Sequence, residues 1–126
     1  MLEEALMKFL CQVWFDSTEI AKLSEAEGRK LTQDSIDNDN RLRASGHIIV
    51  ANALREPQTA KTVRVRRGET AVTDGPFAEI KEHLGGFVLI EARDLEEAIE
   101  IAATFPVARY GMIEVRGAFD IRFPDE

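Results

Sequence analysis

Cysteine, histidine and long apolar runs are what this sequence has least of. Its single cysteine, Cys11, excludes an internal disulfide framework. Its two histidines, His47 and His83, stand far apart, and no H-x-x-x-H or C-x-x-C spacing supplies the ligands of a structural zinc site. No G-x-G-x-x-G opens a helix, and no glycine-rich loop leads into a lysine, so dinucleotide and ATP binding are disfavoured and no cofactor is expected. Ser17, Ser24, Ser35 and Ser45 lack the context of a nucleophile elbow. No apolar run is long enough to cross a membrane, and Glu3 and Glu4 stand where a secretory signal would be basic. A cytoplasmic protein with no membrane partner is expected. Positive charge is also short: 16 Lys and Arg against 23 Asp and Glu give a net charge of −7. That balance argues against nucleic-acid binding. The local cluster Lys61, Arg64, Arg66 and Arg67 reads as the solvated side of an edge strand.

What is present fits a single folded domain over residues 1–126, with 44% hydrophobic and 31% charged residues. After residues 1–6, read as a loose lead-in or a helical turn, Met7–Phe15 alternates as a strand. Met7, Phe9, Cys11, Val13 and Phe15 fall on one face; Lys8, Leu10, Gln12 and Trp14 fall on the other. Cys11 reads as a small buried hydrophobe. Ser24 with Glu27 has capping-box spacing, predicting a helix from Ser24 to about Ser45, stopped at Gly46. Its inner face is weakly apolar. Either polar residues sit at the core edge, or Asn38, with Asp34 or Asn40, lines a polar cavity beneath it.

A second strand is expected over His47–Leu54, with His47, Ile49, Ala51 and Ala53 alternating against Ile48, Val50, Asn52 and Leu54. Val63–Arg66 and Thr70–Thr73 form a hairpin about Gly68. Phe87–Ala92 is another central strand, and Asp94 caps a helix to Ala103 with an apolar stripe of Leu95, Ala98, Ile99, Ala102 and Ala103. Met112–Arg116 closes the chain's regular structure. The order is β-α-β-β-α-β, a ferredoxin-like α+β fold with core residues about 7–116 and an inserted β-hairpin at about 61–74. Two helices cover one sheet face; the apolar residues left on the other predict a homodimer.

The segment Thr73–Phe87 concentrates ionisable side chains at a sharp Gly75-Pro76 turn. Asp74 is either a turn acceptor or a catalytic carboxylate. Glu79 and Glu82, three apart, would share one side of a helical turn, and could hold a proton that His83 shuttles. Lys81, Phe77 and Phe87 complete a small site for a polar or aromatic molecule. Glu114 either pairs with Arg116 or reaches the same cavity. This points to cofactor-free acid–base chemistry of lyase or isomerase type, or else to a dimer that binds a small ligand without catalysis.

At Asp74-Gly75-Pro76-Phe77, Glu79, Lys81-Glu82, Leu84-Gly85-Gly86-Phe87, Asp94…Glu97-Ala98, Pro106…Gly111 and Glu114-Val115-Arg116 the chain resembles the YCII-related proteins. Within them it is similar to the branch named for its Asp-Gly-Pro-Phe loop. The resemblance implies a bacterial ferredoxin-like subunit forming a dimeric α+β barrel. It also implies small-molecule chemistry, including a dehydrochlorinase with a His-Asp pair, in which Asp74 corresponds to the Asp. Where the pair's His is expected in the first helix, this chain has Asn38 or Asn40.

Overall fold

The computed structural model describes residues 6–78 and 80–121; all but the last residue of the lead-in expected at 1–6, and the candidate residue Glu79, lie outside them. Six strands and three helices follow in order: β1 (Met7–Phe15), α1 (Ser17–Ile20), α2 (Glu25–Ala44), β2 (Ile48–Ala53), β3 (Lys61–Arg66), β4 (Glu69–Asp74), β5 (His83–Ala92), α3 (Leu95–Ala102) and β6 (Gly111–Ala118). Four strands form an antiparallel sheet in the order β2-β5-β1-β6, and among the described residues β3 pairs with β4 alone. This α+β arrangement is compatible with a ferredoxin-like fold.

The alternation of β1 decides which sheet face is covered. Phe9 and Cys11 pair with Ile90 and Val88 and are buried with them beneath Leu42 of α2 and Ala98, Ile101 and Ala102 of α3. Burial pushes the Cys11 thiol up to about 11, consistent with a core hydrophobe rather than a nucleophile. Leu10, Trp14, Phe87 and Leu89 lie on the opposite, helix-free face and are half-buried. A row Val50–Leu89–Leu10–Arg116 and a row Asn52–Phe87–Gln12–Glu114 cross that face.

Both long helices begin as their sequences dictate. Ser24 and Glu27 form the reciprocal capping box, with Glu27 N–H donating to Ser24 Oγ at 3.1 Å and Ser24 N–H to Glu27 Oε1 at 3.0 Å. Asp94 accepts from Glu97 N–H at 2.8 Å, while the Glu97 carboxylate accepts from Arg93 N–H, one residue earlier than a capping box would have it. The β3–β4 turn is two residues, Arg67 and Gly68, both at positive φ (51° and 78°). That is the turn whose twist matches a hairpin.

Three expectations are corrected. A register irregularity between Ile48 and Val50 turns Ile48 and Ala51 to the same, helix-covered side, where strict alternation separates them. In α3 the buried residues are Ala98, Ile101 and Ala102, while Leu95 and Ile99 are half exposed. The eight-residue helix lies on the sheet along its alanine side, which permits close approach. Finally, β5 starts at His83 rather than Phe87, so Leu84-Gly85-Gly86 are strand residues, and no helical turn forms among the described residues of 75–82.

Candidate functional site

Under α2 the sheet runs out of large side chains. The row Ala53–Gly86–Val13 follows the well-filled row Ala51–Val88–Cys11, and above it α2 presents Thr32, Ser35 and Asp39 alongside Leu31 and Ile36. Small residues below and short polar ones above leave a cavity of about 530 Å³, closed at one side by Phe105, Pro106 and Val107. Such a volume is in the range of small-molecule sites. Gly86 lies at its floor, where a Cβ would stand 3.0 Å from the Asn52 carbonyl oxygen and 3.4 Å from Ala53 Cα, so a larger residue there must push on the β2 backbone.

Among the described residues lining this cavity, Asp39 is the one ionisable side chain. Burial raises its pKa above the ordinary carboxylate value, with the charge of Arg43, one turn on, opposing. A carboxyl tuned upward, in a lining that also holds two hydroxyl residues, Asn52 and otherwise apolar residues, can accept a proton from a bound molecule or, protonated, donate a hydrogen bond to it. The sequence left two readings of this helix open, polar residues at the core edge or a polar cavity lined by Asn38 with Asp34 or Asn40. The spacing Leu31, Ser35, Asp39 is i, i+4, i+8, one helix face; that was the signal to follow. Asn38 points instead toward α3, donating to Thr104 Oγ1 at 3.1 Å and accepting from Arg41 at 2.7 Å.

The other sequence-predicted residues go to separate places. Asp74 ends β4, is 88% exposed and forms an ion pair with Lys61, its partner across the hairpin. The base of the hairpin is held by Gly75 N–H donating to Ala60 O at 2.7 Å and Thr62 Oγ1 donating to Gly75 O at 2.9 Å. Phe77 is 81% exposed. Lys81 reaches to 3.8 Å from Asp16, a buried carboxylate that caps α1 by accepting from Thr18. The two Thr18 hydrogen bonds, assisted by Lys81 and Lys22, hold Asp16 below the usual carboxylate range. His83 packs on Phe15, a wall of the cavity under α2.

Glu82 lies on a second hollow of about 580 Å³, with Glu19, Lys22, Glu27, Arg109 and Tyr110. Several of its charges are already engaged. Lys22 pairs with Glu19 at 2.9 Å, which raises the lysine's pKa, and Arg109 with Asp34 at 3.8 Å. The Glu27 carboxylate is held low by its bonds to Ser24. Phe87, Glu114 and Arg116 share the helix-free sheet face, where Arg116 and Glu114 pair at 3.2 Å, and Phe87 also borders the cavity under α2. His47 stands at the start of β2, with Nδ1 2.7 Å from Ser45 Oγ and Nε2 3.5 Å from Glu97. Among the described residues no group of three or more His, Cys, Asp or Glu is placed to hold a metal ion, and no helix is long and apolar enough to cross a membrane.

A four-stranded antiparallel sheet with helices over one face, and between them an open, mainly apolar cavity with one carboxyl among its described lining residues, defines a small α+β protein. Residues 7–122 match the YCII-related domain family, and the chain belongs to that family. It is similar to an uncharacterized protein of Rhizobium meliloti (strain 1021), 34% identical over 103 residues that cover 80% of this chain and 83% of that protein.

Proposed function

We propose that this chain is a cofactor-free enzyme acting on a small, largely apolar or aromatic molecule held beneath α2, with Asp39 as the group that takes up or returns a proton. The chemistry is of lyase or isomerase type. The observation that carries this reading is the position of Asp39: a carboxyl pushed up by burial, on the wall of a cavity whose other described side chains are apolar, hydroxyl or amide. One carboxyl suffices for such chemistry, because the group that removes a proton can return it. The competing reading, a ligand-binding protein without catalysis, is favoured by the same absence of a second ionisable side chain among the described lining residues. Residues Asp74–Phe77 support membership of the Asp-Gly-Pro-Phe branch of the family.

The helix-free sheet face supports a homodimer. Leu10, Trp14, Phe87 and Leu89 form a contiguous apolar strip there that a second copy would cover, closing the two sheets toward a dimeric α+β barrel. Sedimentation should then give twice the chain mass of 14.1 kDa.

A thermal-shift screen of substituted phenols and hydroxybenzoates, run on the wild type, Ser35→Leu, Asp39→Asn and Asp74→Asn, tests the site. Binding stabilises by mass action. Hits should shift the wild type and Asp74→Asn alike and should fail with Ser35→Leu, which fills the cavity. Hits lost only in Asp74→Asn would move the site to the hairpin base and sink the proposal. Deuterium entering a bound ligand's C–H position in D2O, seen by NMR and abolished in Asp39→Asn, separates the enzyme from the binding protein.

A further inference from the structure

Helix α2 carries the carboxylates of Glu25, Glu27, Asp34, Asp37 and Asp39, and all but the last are engaged. Glu25 pairs with Arg29 at 3.3 Å, and Glu27 bonds Ser24 in the capping box. Asp34 lies 3.2 Å from Lys30, and Asp37 accepts from Gln33 at 2.8 Å. Asp39, half-buried on the cavity wall, makes no hydrogen bond or ion pair among the described residues. Arg43 acts on it as a charge but is not among the residues lining the cavity. A partly buried carboxylate without a donor is costly, because burial disfavours its charged form. A molecule entering the cavity can bring that donor.

The lining decides the charge of such a molecule. No Lys, Arg or His is among the described lining residues, and the whole chain is −7. A ligand carboxylate would meet Asp39 with no cation to balance the pair. A hydroxyl could donate one hydrogen bond but would leave the half-buried charge uncompensated. An ammonium group donates and neutralises at once. Its carbon body has Leu31, Phe105 and Val107 to pack on, and Phe15 and Phe87 are of the residue type whose ring faces attract cations. We propose that the cavity under α2 takes a small amine with an apolar or aromatic body, its ammonium group held by Asp39. This rests on the cavity being the site and adds the charge of what the site holds. The ammonium also brings its proton to the group that can take it up.

Three probes of similar shape separate the charges: 2-phenylethylamine, 2-phenylethanol and phenylacetate. Each is titrated at neutral pH into the wild type, Asp39→Asn, Asp74→Asn and Ser35→Leu and followed by backbone amide shifts in NMR. Asp74→Asn removes the same charge from the exposed hairpin base, and so controls for general attraction of an amine to an acidic chain. The wild type and Asp74→Asn should bind the amine at least about tenfold more tightly than the alcohol, with the acid weakest. Asp39→Asn should lose that order, and Ser35→Leu should bind none of the three. An amine preference that survives Asp39→Asn would assign it to the overall charge and overturn the inference. A wild type that ranks the amine no higher than the others, or binds no probe at millimolar concentration, would overturn it too. In each of those cases, hits of the phenol screen that Ser35→Leu abolishes would leave the cavity standing as the site. Probe binding unchanged in Ser35→Leu would lie outside the cavity, and the inference and the site would fall together.

Discussion

Phe15 and His83, directly opposed across β1 and β5, meet edge to face with ring centroids 5.0 Å apart and planes at 63°. The imidazole thereby braces an aromatic wall of the cavity under α2. Its role follows from this packing. His83→Phe should retain the aromatic contact and the wild-type stability, whereas His83→Ala should lose about 0.5–1.5 kcal/mol beyond the area it uncovers. Urea denaturation of the three proteins reads the difference. A full loss in His83→Phe would show that the imidazole's hydrogen-bonding ability, not its ring, is what the site uses.

Asp39 gives a pH signature of defined sign. Its folded-state pKa is raised, chiefly by burial, with Arg43 opposing. Deprotonation is therefore harder in the folded protein than in the unfolded chain, and stability declines as pH rises from the unfolded carboxylate value, near about 4, through the raised folded one. Asp39→Asn, which is neutral throughout, should melt at a higher temperature than the wild type at pH 7, and the gap should close at pH 3. A gap that persists unchanged at pH 3 would mean that the substitution acts through packing and not through charge.

Strand and helix positions were legible wherever one periodicity ruled. The β1 alternation, the Ser24–Glu27 box and the Asp94 cap are local rules, and each formed as its residues dictate. The start of β5 was hidden because Gly85 and Gly86 look like punctuation; only the approach of Phe15 and of the Asn52 carbonyl explains them as strand residues. The misassigned stripe of α3 has a similar origin. The expected stripe shared Ala98 and Ala102 with the buried face, but contact with the sheet took Ile101 as its large residue and left Leu95 and Ile99 half exposed. The cavity was half legible: a weakly apolar α2 announced it, but the small residues beneath belong to β2 and β5, and their meeting is a property of the topology. The charged residues of 73–83 looked like one site because they are neighbours in sequence. In the fold, Asp74 turns to Lys61, Lys81 to Asp16 and His83 to Phe15.

Two glycines test the account of the cavity against each other. Gly28 lies inside α2 with no atom within 4 Å of an added Cβ, whereas at Gly86 that atom would sit 3.0 Å from the Asn52 carbonyl oxygen. The neighbour at Gly86 is backbone of a paired strand, so it cannot swing aside as a side chain would. Gly28→Ala should stabilise the protein by about 0.5–1 kcal/mol, the ordinary gain of alanine over glycine in a helix. Gly86→Ala should cost about 1–3 kcal/mol, because the β2–β5 pair must shift to admit the methyl group. It should also weaken any ligand held beneath α2, since the floor rises into the cavity, while Gly28→Ala leaves that affinity unchanged. Chemical denaturation and a ligand titration on both variants decide the matter. A Gly86→Ala protein as stable as the wild type, binding its ligand equally well, would show that the sheet has slack there and that the glycine does not shape the site.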